Sequence, residues 1–189
     1  MDDDSARLRA RIDELEASDS VTGLLSARAF RERLSGAFGT SETPGRAHLS
    51  LTVLEVDRFA ELAAQLGCEN AEGLLSVLGS VVRSHAPRAA AATRLGLSRF
   101  ALAYFGTVKP EALAQAIGLQ RAIASDEFLI GRAFVRVTAS LGVTAMPDDG
   151  DDADDLFARA EAALRTAQAA GGNLVCGAGS AHQPENRRL

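Results

Sequence analysis

Apolar residues recur along the chain at two spacings, which predict a mixture of helices and strands. Leu49 to Val56 alternates apolar and polar side chains and then becomes almost wholly apolar, as in a strand at the centre of a sheet. Leu8, Ile12 and Leu15 are four and then three residues apart, which places them on one stripe of a predicted helix over Ser5 to Ala17. That stripe is too short to hold a stable dimer alone, so we interpret it as part of a longer connecting helix.

The same patterns predict the remaining elements. Further helices are predicted over Ala27–Phe38, Phe59–Leu66, Ala71–His85, Pro110–Ser125 and Asp154–Ala170. Further strands are predicted over Ala91–Leu95, Arg99–Phe105, Phe134–Val143 and Leu174–Cys176. Gly96, Leu97 and Ser98 form a turn that indicates a β-hairpin. The order predicts an α+β fold with a mainly antiparallel central sheet and helices packed on one face.

Three segments are expected along the 189 residues, of which 47% are hydrophobic. Residues 1–18 would form the connecting helix, 19–176 one folded domain, and 177–189 a polar tail that we expect to be disordered.

The acidic start and the lack of an apolar run of roughly 20 residues predict a cytoplasmic protein without a membrane segment. A net charge of -5 with scattered arginines argues against nucleic-acid binding. Cys68 and Cys176 have no companion at metal-ligand spacing, which predicts neither a zinc site nor a disulfide framework.

Five strings stand in the order and at the separations of motifs from one known family. They are Asp19–Leu24 (family D-x-L-T-G-L), Glu55–Ala60 (D-x-D-x-F-K), Arg94–Phe100 (R-x-G-G-D-E-F), Thr138–Gly142 (T-x-S-x-G) and Ala160–Asn173 (the final helix and its G-R-N turn). From Asp19 to about Val175 the chain therefore resembles the GGDEF family, whose working members condense two GTP molecules into cyclic di-GMP. The resemblance implies a nucleotidyl-cyclase, palm-like domain.

The signature hairpin departs from the family's at the acidic positions. It reads Gly96, Leu97, Ser98, Arg99 and Phe100. In the family, divalent metals sit between the first acid of D-x-D and the acidic pair of the signature. This chain has Glu55 at the first place but Ser98 and Arg99 at the pair. Serine is a poor ligand for hard cations and arginine adds a permanent positive charge, so the resemblance implies that metal binding is lost and that no cofactor is held.

The nucleotide contacts implied by the resemblance are also altered. Leu97 replaces the glycine that lets the nucleotide approach the hairpin, and its side chain would fill that space and resist a positive φ. The family's phosphate-binding cations fall on Ala60, Gln168 and Gly172, its guanine-binding residues on Ala63 and Glu72, and its inhibitory R-x-x-D site on Pro87 and Ala90. The resemblance therefore implies weakened GTP recognition and no inhibitory site.

Several charged residues admit two interpretations. Glu55 and Asp57 are either a residual metal site or acids that cap the helix after their strand, and we favour the caps. Arg94 and Arg99 either contact a partner or a phosphate, or are solvated or ion-paired hairpin residues, which we favour. The acids between 148 and 155 lack the spacing of a calcium loop and predict a loop and a helix N-terminus.

Three functional hypotheses follow. The favoured one is a catalytically inactive regulatory domain that contacts other domains of the same protein, of EAL, PAS or receiver type, or a partner signalling protein. A homodimer through the N-terminal helix is compatible with it. The second is a sensor that binds GTP without turnover, since a helix start near Asp57 to Ala60 could cradle phosphate. The third, an active cyclase, requires metal ligands that the motifs do not supply.

Overall fold

The computed structural model describes residues 17–39, 48–85, 89 and 91–179. The predicted connecting helix before Ala17, Pro87 and Ala90 of the inhibitory position, and the tail after Gly179 lie outside the described residues. The helices are α1 Ala27–Gly39, α2 Phe59–Leu66, α3 Cys68–His85, α4 Lys109–Ser125 and α5 Ala153–Ala169. The strands are β1 Leu49–Val56, β2 Ala91–Arg94, β3 Arg99–Phe105, β4 Phe128–Ile130, β5 Ala133–Val135, β6 Ala139–Met146 and β7 Val175–Gly177.

A five-stranded sheet organises the domain, with the strand order β2-β3-β1-β6-β7. All neighbours are antiparallel except β6 and β7, which are parallel, so the predicted α+β class with a mainly antiparallel sheet is confirmed. The central strand β1 places Glu55 opposite Arg99 on one side and Ser140 on the other. This register brings the end of β1 next to the signature hairpin.

Helices cover both faces of the sheet, so the prediction that they pack on one face is wrong. Leu51 and Val53 of β1 pack with Phe30 of α1 and with α5, while Leu54 and Val56 pack with the core residues of α3 and α4. A strand whose two faces are both apolar requires cover on each side. The near-continuous apolar run of β1 is the sequence signal of this burial.

The segment predicted as one strand over Phe134–Val143 contains two strands, β5 and β6. Strand β5 pairs with β4 in a separate hairpin, with Leu129 opposite Phe134. Gly131, at φ 60°, allows the tight turn between them. Phe128, Ile130 and Val135 are buried on the inner face, which explains why a period-two pattern continues through a strand that never joins the main sheet.

The acid run between 148 and 155 behaves as predicted. Asp152 caps α5 by accepting a hydrogen bond from the Asp155 N–H at 2.8 Å. Asp149 is buried and ion-paired with Lys109 at 2.6 Å, and Lys109 also donates to the Ala178 carbonyl at 2.6 Å. The fold therefore extends through Ala178. None of the helices in the described part of the chain is long and apolar enough to cross a membrane.

Candidate functional site at the signature hairpin

The turn between β2 and β3 is closed by backbone hydrogen bonds and leaves Leu97 at its tip. The Leu95 N–H donates to the Arg99 carbonyl at 2.8 Å, and the Val56 N–H donates to the Ser98 carbonyl at 3.1 Å. Among the described non-glycine residues only Arg58 and Asn173 have a positive φ, so this turn accepts Leu97 without left-handed backbone. Leu97 is 68% exposed, whereas Ser98 is buried.

Arg99 is ion-paired with two carboxylates from different elements. Its Nη2 donates to Glu55 Oε2 at 2.8 Å, and its Nη1 donates to Glu161 Oε1 at 3.3 Å. Gln168 Nε2 donates to the same Glu55 oxygen at 3.1 Å. Glu161 and Gln168 are two turns apart on α5, so one helix face carries them to Arg99 and Glu55 respectively. The fold thus brings together Glu55, Arg99 and Gln168 of the predicted positions.

Glu161 was not among the predicted site residues. A signal for it exists in the sequence, because Ala160-Glu161 stands where the family's final helix carries its A-D pair. The motif alone does not show that this acid faces the hairpin, since Glu161 and Arg99 are 62 residues apart.

Neither Glu55 nor Asp57 caps a helix, so that interpretation is wrong for both. The N-cap of α2 is Arg58, which makes no side-chain capping bond. The Asp57 carboxylate instead accepts hydrogen bonds from Thr138 Oγ1 at 2.7 Å, Ser140 Oγ at 2.7 Å and the Asn173 N–H at 2.8 Å. These partners are 81, 83 and 116 residues away along the chain, so Asp57 ties β6 and the turn after α5 to the end of β1.

The other predicted positions are dispersed. Gly172 has φ 76°, and a Cβ there would lie 3.1 Å from the Asp57 carboxylate, so this glycine permits a close approach. Ala63 is half-buried within α2, and Glu72 is exposed on α3. Neither residue lines the cavity beside the hairpin.

A cavity of about 950 Å³ lies between the hairpin, α1, the start of α2 and α5. Its apolar wall is formed by Leu34, Leu95, Leu97 and Phe157. Its charged residues are three arginines and three acids, namely Arg31, Arg58, Arg99, Glu55, Asp154 and Glu161. The charges that line the cavity therefore balance, which is a poor match for a polyanionic triphosphate.

The second hairpin arginine is also ion-paired. Arg94 donates from Nε to Asp19 Oδ1 at 3.1 Å and from Nη2 to Asp19 Oδ2 at 2.7 Å. Partial burial alone would raise the pKa of Asp19, but hydrogen bonds from Arg94 and Thr22 and the charge of Arg94 outweigh it and lower the pKa to about 2. Both hairpin arginines thus bind acids of the same chain.

The donor set does not fit the divalent cations that the resemblance implies. Within residues 17–39, 48–85 and 91–179, no three side chains among His, Cys, Asp and Glu lie close enough together to hold a metal ion. Beside the hairpin the two available carboxylates, Glu55 and Glu161, already share the guanidinium of Arg99. Hard cations need several oxygen ligands and no adjacent positive charge.

Known proteins similar to this chain are bacterial signalling proteins. Cyclic di-GMP phosphodiesterase NbdA of Pseudomonas aeruginosa is 27% identical over 164 residues, which is 87% of this chain and 21% of NbdA. An uncharacterized signaling protein of Caulobacter vibrioides is 30% identical over 163 residues, 85% of this chain and 20% of that protein. Response regulator PleD of Caulobacter vibrioides is 26% identical over 166 residues, 87% of this chain and 36% of PleD. The chain thus spans about a fifth of the first two relatives.

Solved structures and a family model agree with this likeness. A sensory box/GGDEF family protein from Caulobacter crescentus is 30% identical with a TM-score of 0.72, over 82% of this chain and 99% of that one. The DgcB GGDEF domain from Caulobacter crescentus, in complex with c-di-GMP, has a TM-score of 0.78 at 24% identity over 87% and 96%, a likeness of fold. The family model for "Diguanylate cyclase, GGDEF domain" matches residues 16–174. The chain therefore belongs to the GGDEF domain family.

Proposed function

We propose that this chain is a catalytically inactive GGDEF domain that acts as a regulatory module in cyclic di-GMP signalling. The observation that carries the proposal is the position of Arg99, whose guanidinium is held between Glu55 and Glu161. In working members, as the resemblance implies, that signature position is an acid. The cyclase reaction needs negatively charged ligands around its divalent cations, and this chain has a positively charged side chain at that position.

The reaction joins the 3'-hydroxyl of one nucleotide to the α-phosphate of another, and charge stabilisation at the phosphates is its main requirement. At about 4 Å, a cation beside a like charge is disfavoured by about 1 to 4 kcal/mol in solvent-screened surroundings. The implied phosphate-binding positions Gln168 and Gly172 add no cation. Each missing contact of this kind lowers a rate by roughly 10²- to 10³-fold.

The partners proposed are other domains of a longer polypeptide, of EAL, PAS or receiver type, or a partner signalling protein. NbdA is named a phosphodiesterase and PleD a response regulator, and the matched region is 21% of NbdA and 36% of PleD. The structure of the diguanylate cyclase SiaD, 25% identical with a TM-score of 0.78, contains its activator SiaC. We place the domain in the cytoplasm and propose that two copies can form a homodimer through the predicted N-terminal helix.

A second candidate is a GTP sensor without turnover. The cavity has a volume typical of small-ligand sites, and Arg31 and Arg58 line it without contacting the Arg99 pairs. Arg58 is already paired with Glu61, however, which reduces its availability for phosphate.

Calorimetric titration with GTP and Mg²⁺, run beside an assay for cyclic di-GMP, separates the candidates. We expect neither heat nor product from the purified domain, with a working GGDEF domain assayed in parallel as positive control. Heat without product would select the sensor. Formation of cyclic di-GMP would overturn the proposal.

The regulatory role is tested in the full-length parent protein. Cross-linking with mass spectrometry should find contacts between this domain and a neighbouring domain or a co-purified signalling protein. A domain that yields no cross-links outside itself in any signalling state would contradict the regulatory role.

A further inference from the structure

Arg99 connects three elements that are distant in sequence. Glu55 on β1 precedes it by 44 residues, and Glu161 on α5 follows it by 62 residues. The side chains of Arg99, Glu55 and Glu161 are 38%, 25% and 39% exposed, so water screens them only in part. The ion pairs therefore attach the signature hairpin to both the central strand and the last helix.

Among the residues that the structure describes, Arg99 is the one cation that pairs with Glu55 and Glu161. Gln168 donates to the same oxygen of Glu55 but is neutral. The other arginines that line the cavity form bonds with other residues: Arg58 pairs with Glu61, and Arg31 Nε donates to the Ala27 carbonyl at 3.2 Å. Without Arg99, the two partly buried carboxylates that its guanidinium bridges would lack this counter-charge, an arrangement that attracts cations.

The carboxylates of Glu55 and Glu161 set the orientation of the Arg99 guanidinium. Within the described residues, Arg99 Nε is buried and has no hydrogen-bond partner, although Nη1 and Nη2 both have one. A buried donor without an acceptor is unfavourable, so the two ion pairs outweigh it in setting the side chain's position.

We propose that Arg99 is a resident cation for Glu55 and Glu161, which supplies internally the charge that divalent ions supply in working members and keeps these carboxylates closed to such ions. This inference rests on the proposed function, because a working site would require the ions that Arg99 displaces. Two consequences follow. The hairpin stays attached to β1 and α5 at any divalent-cation concentration, and removal of Arg99 uncovers a weak divalent-cation site on the two carboxylates.

Paramagnetic Mn²⁺ is a direct probe of this latent site. Amide NMR signals near Glu55 and Glu161 should broaden in Arg99→Ala at Mn²⁺ concentrations at least about tenfold lower than in the unaltered domain. Arg136→Ala is the matched control, because Arg136 pairs with the single carboxylate of Glu127 at 2.7 Å and its removal changes the net charge by the same amount. We expect the control to respond like the unaltered domain.

Two further variants keep the test decisive if Arg99→Ala unfolds. Arg99→Gln retains length and hydrogen bonding without charge, and its melting temperature should rise with Mn²⁺ while that of the unaltered domain does not. Adding Glu55→Gln and Glu161→Gln should abolish that rise.

The outcomes separate the inference from the proposed function. Mn²⁺ broadening at Glu55 and Glu161 in the unaltered domain, equal to that of the Arg99 variants, would overturn the inference. So would folded Arg99 variants that gain no Mn²⁺ response. Cyclic di-GMP made by the unaltered domain would instead overturn the proposed function, and the inference with it.

Discussion

Asp19 and Arg94, 75 residues apart in sequence, form a two-bond ion pair that joins the turn before α1 to the turn end of β2 in the signature hairpin. Asp19 also accepts hydrogen bonds from the backbone and hydroxyl of Thr22, at 2.8 and 2.7 Å. The turn end of the hairpin is therefore anchored on both strands, by Asp19 through Arg94 of β2 and by Glu55 and Glu161 through Arg99 of β3. Both anchors work without a ligand.

Replacement of Asp19 should reduce stability in a pH-dependent way. The pKa of Asp19 is lowered from 3.8 to about 2, so its contribution is present above pH 4 and is lost as the pH falls toward 2. Asp19→Asn should lower the free energy of unfolding by about 2 kcal/mol at pH 7. Urea unfolding at pH 7 and pH 3 checks this, and the difference from the unaltered domain should shrink at pH 3. An equal difference at both pH values would contradict the ionic explanation.

Asp57 should stabilise the folded domain through its three hydrogen bonds. Its truncation in Asp57→Ala leaves two hydroxyl donors and the Asn173 N–H without their acceptor. We expect the free energy of unfolding to fall by about 2 to 4 kcal/mol, measured by urea denaturation. Asp148→Asn is the control, because Asp148 is exposed on a loop and should change stability by less than about 0.5 kcal/mol. Equal losses of unfolding free energy from the two substitutions would contradict this role of Asp57.

Two helical glycines should respond in opposite directions to alanine. A Cβ at Gly79 in α3 would lie 2.6 Å from Thr22 Cβ and 2.8 Å from the Thr22 carbonyl, so Gly79→Ala forces the turn of residues 19–24 away from the helix. We expect a loss of more than about 2 kcal/mol in unfolding free energy. Gly118 in α4 is exposed, and its Cβ would meet nothing within 4 Å. Gly118→Ala should therefore raise stability by up to about 1 kcal/mol, through better helix propensity.

Restoring the signature should not restore catalysis. The triple variant Leu97→Gly, Ser98→Asp and Arg99→Glu recreates the family's hairpin but leaves the phosphate-binding positions at Gln168 and Gly172 without a cation. Because charge stabilisation at the phosphates would still be missing, we expect no cyclic di-GMP above background by liquid chromatography. Circular dichroism confirms that the variant is folded. Product formation by the triple variant would show that the hairpin alone silences the domain.

Much of the fold was readable from local pattern. Strand β1 was predicted over Leu49–Val56 with its observed bounds, and α2 over Phe59–Leu66 likewise, because apolar periodicity and flanking turn residues are properties of adjacent positions. The family motifs located the hairpin and gave Glu55, Arg99 and Gln168 as site positions. The pairing and register of a strand, by contrast, depend on which other strand lies next to it. Residues 134 and 135 continue an alternating pattern into β6, yet they pair with β4, and no local signal distinguishes the two choices.

By itself, then, the sequence determined the α+β class, most element bounds and the presence of an arginine where an acid was expected. Only the tertiary structure decided what the charged residues bind: Asp57 reaches Ser140 and Asn173 and caps no helix, and Arg99 lies between Glu55 and Glu161. The physical reason is distance along the chain. Helix and strand formation follow from neighbours a few residues apart, whereas an ion pair between β3 and α5 exists only after the sheet and its two helical layers have brought those elements together.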